Sequence, residues 1–154
     1  MFGTKSEGKI KRSHLILLGL VIAIGIALRF FQLHYADAQI TLKGESLHVI
    51  LAKNPKQWYK GLSDRESLEE YDGMLFLFPF YEKHGFVMRR MHFSLDMVWL
   101  AGGKVVDIAP DVPVFPQDRP YYPREEANAV LELPAGWVRA HGLQIGDIMT
   151  VAND

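Results

Sequence analysis

The chain has no cysteine, no excess of charge of either sign and only one long apolar run in its 154 residues. The absence of cysteine excludes disulfides, a thiol nucleophile and any thiolate metal site, so stability has to come from packing. A formal net charge of −1 leaves no global electrostatic footprint for nucleic acid, and no nucleic-acid partner is expected. No Gly-x-Ser-x-Gly nucleophile elbow occurs, and the one Gly-Gly turn, Ala101-Gly102-Gly103-Lys104, joins two strand-like segments rather than opening a helix as a phosphate loop would. Internal repeats and low-complexity tracts are also missing. No cofactor and no metal centre is expected.

What is present begins with the apolar run itself, Leu15 to Leu28, directly behind Lys5, Lys9, Lys11 and Arg12. Extended through Arg29 to Phe30 and Phe31, a helix over Leu15 to Phe31 is roughly 25 Å long at about 1.5 Å per residue, the short end of spanning length. Arg29 sits where its stem can bury while its guanidinium reaches the headgroups. The basic residues ahead of the run predict a cytoplasmic N-terminus and an extracytoplasmic remainder. The expected organisation is a cytoplasmic basic region over 1–14, a transmembrane signal-anchor over 15–31, a tether and first hairpin over 32–46, and one β domain over 47–154. The location that follows is the inner or cytoplasmic membrane. A cleaved signal peptide is the alternative, since Ala36 and Ala38 make an A-x-A site and cleavage at Ala38 would release a secreted domain. The distance from the apolar core to Ala38 and its charged, aromatic content favour retention.

Beyond the run, alternation predicts strands over Gln39 to Leu42 and Ser46 to Ala52 around Gly44-Glu45. Asn54, Pro55 and Gln57 occupy the cap, first-turn and capping-box positions of a short helix running to about Leu62, with Trp58 and Leu62 on one face. Gly73 to Phe80 reads as a buried strand ended by Pro79, and Gly85 to Met91 as a further strand. Leu95 to Leu100 and Lys104 to Ile108 form the clearest hairpin. Five of the eight prolines lie between Pro110 and Pro123, which predicts an extended loop. Ala129 to Leu133 is a strand, Trp137 to His141 a helical turn and Asp147 to Val151 the last strand. The fold class expected from this order is mainly β: a compact antiparallel or mixed β-barrel-like domain with two short helices, preceded by one transmembrane helix.

The ordered series Gly61-Leu62-Ser63-Asp64-Arg65, Asp72-Gly73-Met74-Leu75-Phe76-Leu77-Phe78, Phe86-Val87-Met88-Arg89, Ser94-Leu95-Asp96-Met97, Val130-Leu131-Glu132-Leu133-Pro134-Ala135-Gly136 and Gly146-Asp147 resembles the DUF192 family of small domains over roughly Leu47 to Val151. The resemblance implies a β-barrel-like domain that commonly follows a signal peptide or membrane anchor, and it implies no activity. Where family members usually carry Phe-Trp-Met-Lys-Asn-Thr, this chain has Phe86-Val87-Met88-Arg89-Arg90-Met91, which keeps a basic residue and loses a ring and two polar groups.

Arg65, Arg89, Arg90, Asp96 and Glu132 come from or adjoin these motifs and are the first binding candidates, because arginines in a cleft suit a carboxylate or phosphate. The bland alternative is an Arg65–Asp96 ion pair that pins a loop. Asp96 and Glu132 together would instead suit acid/base work on envelope carbohydrate. Met88, Met91, His92 and Met97, with His84 nearby, would make a soft copper(I) site, although methionine beside many phenylalanines is ordinarily core. Tyr121 and Tyr122, in the proline-rich loop with Phe115, offer either a recognition surface or a rigid cover. The expected role is non-enzymatic, a membrane-tethered domain that binds a partner protein or envelope component; the alternative is a hydrolase acting on envelope polysaccharide through Asp96 and Glu132.

Overall fold

A computed structural model describes residues 12–33 and 35–152, with the side chains of 27–34 outside the described set. The chain divides into two units, Met1–His34 and Tyr35–Asp154. The first contains α1 (Arg12–Leu33), whose Leu15, Ile16, Leu17, Leu18, Leu20, Val21, Ile22, Ile24 and Ile26 are all exposed, so no side of it is polar over that stretch. Among the described residues no helix is long and apolar enough to cross a membrane. The expected transmembrane segment ends at Phe31, beyond the described side chains.

The second unit is built on β1 (Ala36–Leu42), β2 (Glu45–Ala52), β3 (Gly73–Glu82), β4 (Leu95–Ala101), β5 (Lys104–Val112), β6 (Ala127–Pro134) and β7 (Met149–Val151), with α2 (Pro55–Lys60) and α3 (Trp137–Ala140) between them. The strands form one mixed sheet in the order β5-β4-β6-β3-β2-β1-β7, with β2 and β3 parallel. The sheet curls into a half-barrel. Its two edge strands approach at one place, where Lys104 bridges Ile148 and Met149 N donates to Gly103 O. β1 pairs with both β2 and β7, so the sheet begins upstream of Leu47.

Each face of the curled sheet carries its own apolar layer, because alternate residues of a strand point to opposite sides. Val98 and Leu100 of β4 with Leu131 and Leu133 of β6 join Ile40, Leu42, Val49 and Val105 on one side. Met97 and Trp99 with Val130, Met74 and Phe76 lie on the other, under Leu62 and Leu68 of the segment after α2. That second layer bounds the site.

Local chemistry explains most element ends. Asn54 Oδ1 accepts from Gln57 N at 3.1 Å, as an N-cap does, and Gln57 Oε1 accepts from Lys53 N at 2.8 Å. The first hairpin turns on Lys43 and Gly44, one residue earlier than expected, with φ of 56° and 83° at the two positions. Pro79 does not end β3, which continues to Glu82; the register against β6 shifts between Leu77 and Glu82, so Pro79 falls where no ladder donor is required. Gly85 to Met91 is not a strand. Only Phe86 pairs, exchanging two backbone bonds with Tyr121, and Met91 N turns back to Met88 O.

At Gly73 the backbones of β3 and β6 approach closely: a Cβ there would sit 2.3 Å from the backbone oxygen of Glu132. Gly73→Ala therefore forces β3 away from β6, and a loss of about 2–3 kcal/mol is expected in a urea titration. An unchanged midpoint would show that the two strands separate freely there.

Candidate binding cavity

On β6, Glu132 is flanked in register by Met74 of β3 and Met97 of β4, and it shares their face. Both methionines are fully buried and Glu132 itself is only 5% exposed. Its Oε2 has no hydrogen-bond partner among the described residues. Burial pushes its carboxyl up to about 8, because the charged form loses its hydration there and no cation or donor among the described residues offsets that loss. Glu132 is thus a neutral acid at pH 7.

In front of it lies a cavity of about 250 Å³. Phe76 and Phe78 of β3, Trp58 and Tyr59 of α2, and His84 and Phe86 of the segment after β3 form its walls, with Gly61 to Ser63, Val87, Arg89 and Met91 around them. The aromatic walls brace one another: Phe78 stacks on His84 at 3.7 Å, Phe76 meets Phe86 edge-on at 4.9 Å, and Trp58 tilts against Phe78 at 4.9 Å. Trp58 Nε1 donates to Ala52 O at 3.0 Å, which fixes the ring and satisfies its one donor.

Arg89 is held at this cavity by its own stem and by Tyr59. Its guanidinium lies 3.9 Å from the Tyr59 ring centroid and donates to Tyr59 O. Among the described residues it makes no ion pair. Beside it, Lys60 and Arg90 share a single acid, Asp64, whose carboxyl is held below its usual range first by the Lys60 hydrogen bond and further by the Arg90 charge. The strand-like loops that carry these groups are tied together, Asp64 N to Arg90 O at 2.9 Å and Ser63 Oγ to Arg89 O at 2.7 Å.

The five charged candidates therefore do not converge. Glu132 and Arg89 line one cavity, whereas Arg90 stands outside it on Asp64, and Arg65 lies 6.0 Å from the Tyr35 ring. Asp96 pairs in register with Leu133, so it faces the opposite side of the sheet from Glu132. It is fully buried, and it accepts from the backbone N–H of Asp111 at 2.7 Å, Val138 at 2.7 Å and Gly136 at 3.2 Å. No Arg65–Asp96 pair forms: Asp96 latches β5 and the start of α3 to β4. The two carboxylates, on opposite faces, cannot flank one glycosidic bond as an acid/base pair would require.

The methionines pack. Met88 and Met97 are fully buried in the second apolar layer, and His92 is on the surface near Glu66 at 3.8 Å. Among the described residues no group of three His, Cys, Asp or Glu converges. Tyr121 is a cover: its backbone pairs with Phe86 and its ring packs on the second layer, while Tyr122 is 65% exposed with its ring against Gly85. The far end of the proline-rich loop is clamped by Arg124 on Asp107. Burial works to raise the Asp107 carboxyl, but the Arg124 side chain and the backbone donors of Arg124 and Ile108 outweigh it and leave it below the usual range.

Trp58, Phe76, Phe78 and Phe86 are not among the residues expected at a site, and His84, expected only beside a copper(I) site, lines this cavity instead. The alternation of Met74, Phe76 and Phe78 was a usable signal for one aromatic face, but which acid it faced depended on the pairing of β3 with β6.

A family model for DUF192, described as an uncharacterized ACR, matches residues 38–151. A solved structure from Sinorhizobium meliloti 1021, described as a candidate transcription regulator, is 30% identical and superposes with a TM-score of 0.70 over 77% of this chain and 96% of its own. Another, a protein of unknown function from Novosphingobium aromaticivorans DSM 12444, is 25% identical, with a TM-score of 0.65 over 75% of this chain and 84% of its own. No curated protein matches the chain.

Proposed function

We propose that this chain, which belongs to the DUF192 family, is a non-enzymatic binding domain held at the outer face of a membrane by Leu15 to Phe31 and taking an envelope component or partner group into the cavity in front of Glu132. The observation that carries the reading is the cavity's composition. A preformed aromatic pocket holds one uncompensated acid at its floor and one arginine without an acidic partner among the described residues at its side, the few convergent polar groups that mark a binding pocket. A folding role alone would leave Glu132 at a cost, since an apolar residue would satisfy the same place.

The membrane attachment rests on the sequence and is supported by the apolar surface of α1 on every side from Leu15 to Ile26, a pattern that needs a lipid or protein surround. Retention is favoured over cleavage at Ala38, because that cut falls inside β1 and removes Asp37, whose carboxylate lies 2.7 Å from His48 Nε2. The description of the S. meliloti relative would suggest gene regulation, but a chain of net charge −1 has no overall excess of positive charge of the kind nucleic acid selects.

The test is site-specific photo-crosslinking in intact cells, with p-benzoylphenylalanine at position 87 on the cavity wall and at exposed Glu45 as control. A discrete adduct from 87 and none from 45 is expected. Identical products from both positions, or adducts only with cytoplasmic proteins, would overturn the reading.

A further inference from the structure

We propose that the occupant of this cavity is a small ring-bearing organic acid, with its carboxylate on Arg89, its ring among Trp58, Phe78 and Phe86, and a hydrogen-bonding group at its inner end against the Glu132 carboxyl. The inference rests on the reading of the cavity as the binding site and names the class of molecule that fits it.

Size comes first. A volume of about 250 Å³ is below the range of drug-sized pockets, and it admits a single-ring molecule. The walls come second. Phe76 and Phe86 meet edge-to-face and Phe78 is stacked on His84, so the lining presents both ring faces and ring edges, the two surfaces against which a further planar ring packs favourably.

Charge decides the rest. Lys60, Arg89 and Arg90 bring three cations to this side of the domain and Asp64 answers the first and last of them. Arg89 uses one N–H on Tyr59 O and keeps the rest of its fork for a carboxylate, which it can bind bidentately. A cationic ligand would have to settle beside that excess of positive charge and would find Glu132 protonated rather than as a counter-ion. Protonated, Glu132 donates one hydrogen bond and accepts another, and a hydroxyl or carbonyl at the inner end of the ligand would satisfy the Oε2 that has no partner among the described residues. Phosphate or sulfate alone would meet Arg89 but leave the aromatic walls unfilled.

The probe is 4-hydroxybenzoate, titrated calorimetrically into the full chain in lipid nanodiscs, with empty nanodiscs subtracted. Saturable one-to-one binding is expected. Arg89→Met, which keeps the stem and removes the charge, weakens it by about tenfold or more, and Arg89→Lys recovers part of the loss. 4-Hydroxybenzylamine, the same ring with a cation in place of the acid, binds at least about tenfold more weakly. Tighter binding of the amine, unchanged affinity in a folded Arg89→Met, or no binding of the acid would each overturn the inference. The two failures separate: no acid binding beside a crosslinked occupant at position 87 removes the ligand class alone, and loss of both removes the cavity as a site.

Discussion

Glu132→Gln makes the protein more stable at pH 9, a gain that builds between pH 4.5 and 8. The folded carboxyl titrates at about 8 against an ordinary value of 4.5, because desolvation opposes its charge. Below pH 4.5 the folded and unfolded chains are both protonated at this residue and its contribution is fully present. Between 4.5 and 8 the folded chain keeps a proton that the unfolded chain releases, so stability falls as pH rises, and the contribution is lost by the time pH passes 8. At about 1.4 kcal/mol per pKa unit the full span approaches about 5 kcal/mol. Glutamine is close in shape and cannot ionise, so the difference between wild type and Glu132→Gln isolates this group from His84, Lys60, Tyr59 and Arg89, which line the same cavity in both proteins. Melting curves from pH 4 to 9 should diverge, with wild type falling away. Parallel curves would mean that Glu132 is charged and hydrated in the folded state.

Asp96→Ala is expected to cost about 4 kcal/mol in chemical denaturation, with Asp96→Asn losing roughly half of that. The side chain accepts from three backbone N–H groups, that of Val138 buried and those of Asp111 and Gly136 part-buried, and an unsatisfied buried donor costs about 1–3 kcal/mol. Alanine strands all three, at the β5 kink by Asp111 and at Gly136 and Val138 where α3 begins without a side-chain cap of its own. Asparagine keeps one acceptor oxygen. A binding role for Asp96 predicts the reverse pattern, near-normal stability with lost crosslinking at position 87, so a variant within about 1 kcal/mol of wild type would contradict the latch.

These two acids show what could and could not be read from the chain. Alternation and turn residues are local, and they predicted the strands of β1, β2, β4, β5 and β6, the Gly102-Gly103 turn and the helix behind Asn54. Asp96 and Glu132 each followed from family motifs as residues to test. Whether they act together depended on the register of β4 against β6, which sets Met97, not Asp96, opposite Glu132. Strand partners 35 or more residues apart leave no local trace, and a shift of one residue exchanges the faces. For the same reason Arg65 and Asp96 read as a plausible pair although the structure gives Asp96 only backbone donors. Gly85 to Met91 misled differently: its apolar content serves the cavity wall and the second layer, so its pattern reflects contact with a loop, Tyr121, rather than with a ladder. The aromatic cavity was legible only as composition in Gly73 to Phe80, because its walls come from three separate segments.

The most direct measurement is the titration of the Glu132 carboxyl itself, by carbon-13 NMR of selectively labelled full chain assigned with Glu132→Gln. A midpoint near 8 that moves upward when 4-hydroxybenzoate fills the cavity is the expected result, since a ligand that pairs with the protonated acid holds the proton on. A midpoint near 4.5, unmoved by the ligand, would contradict a neutral acid at the floor of a binding cavity.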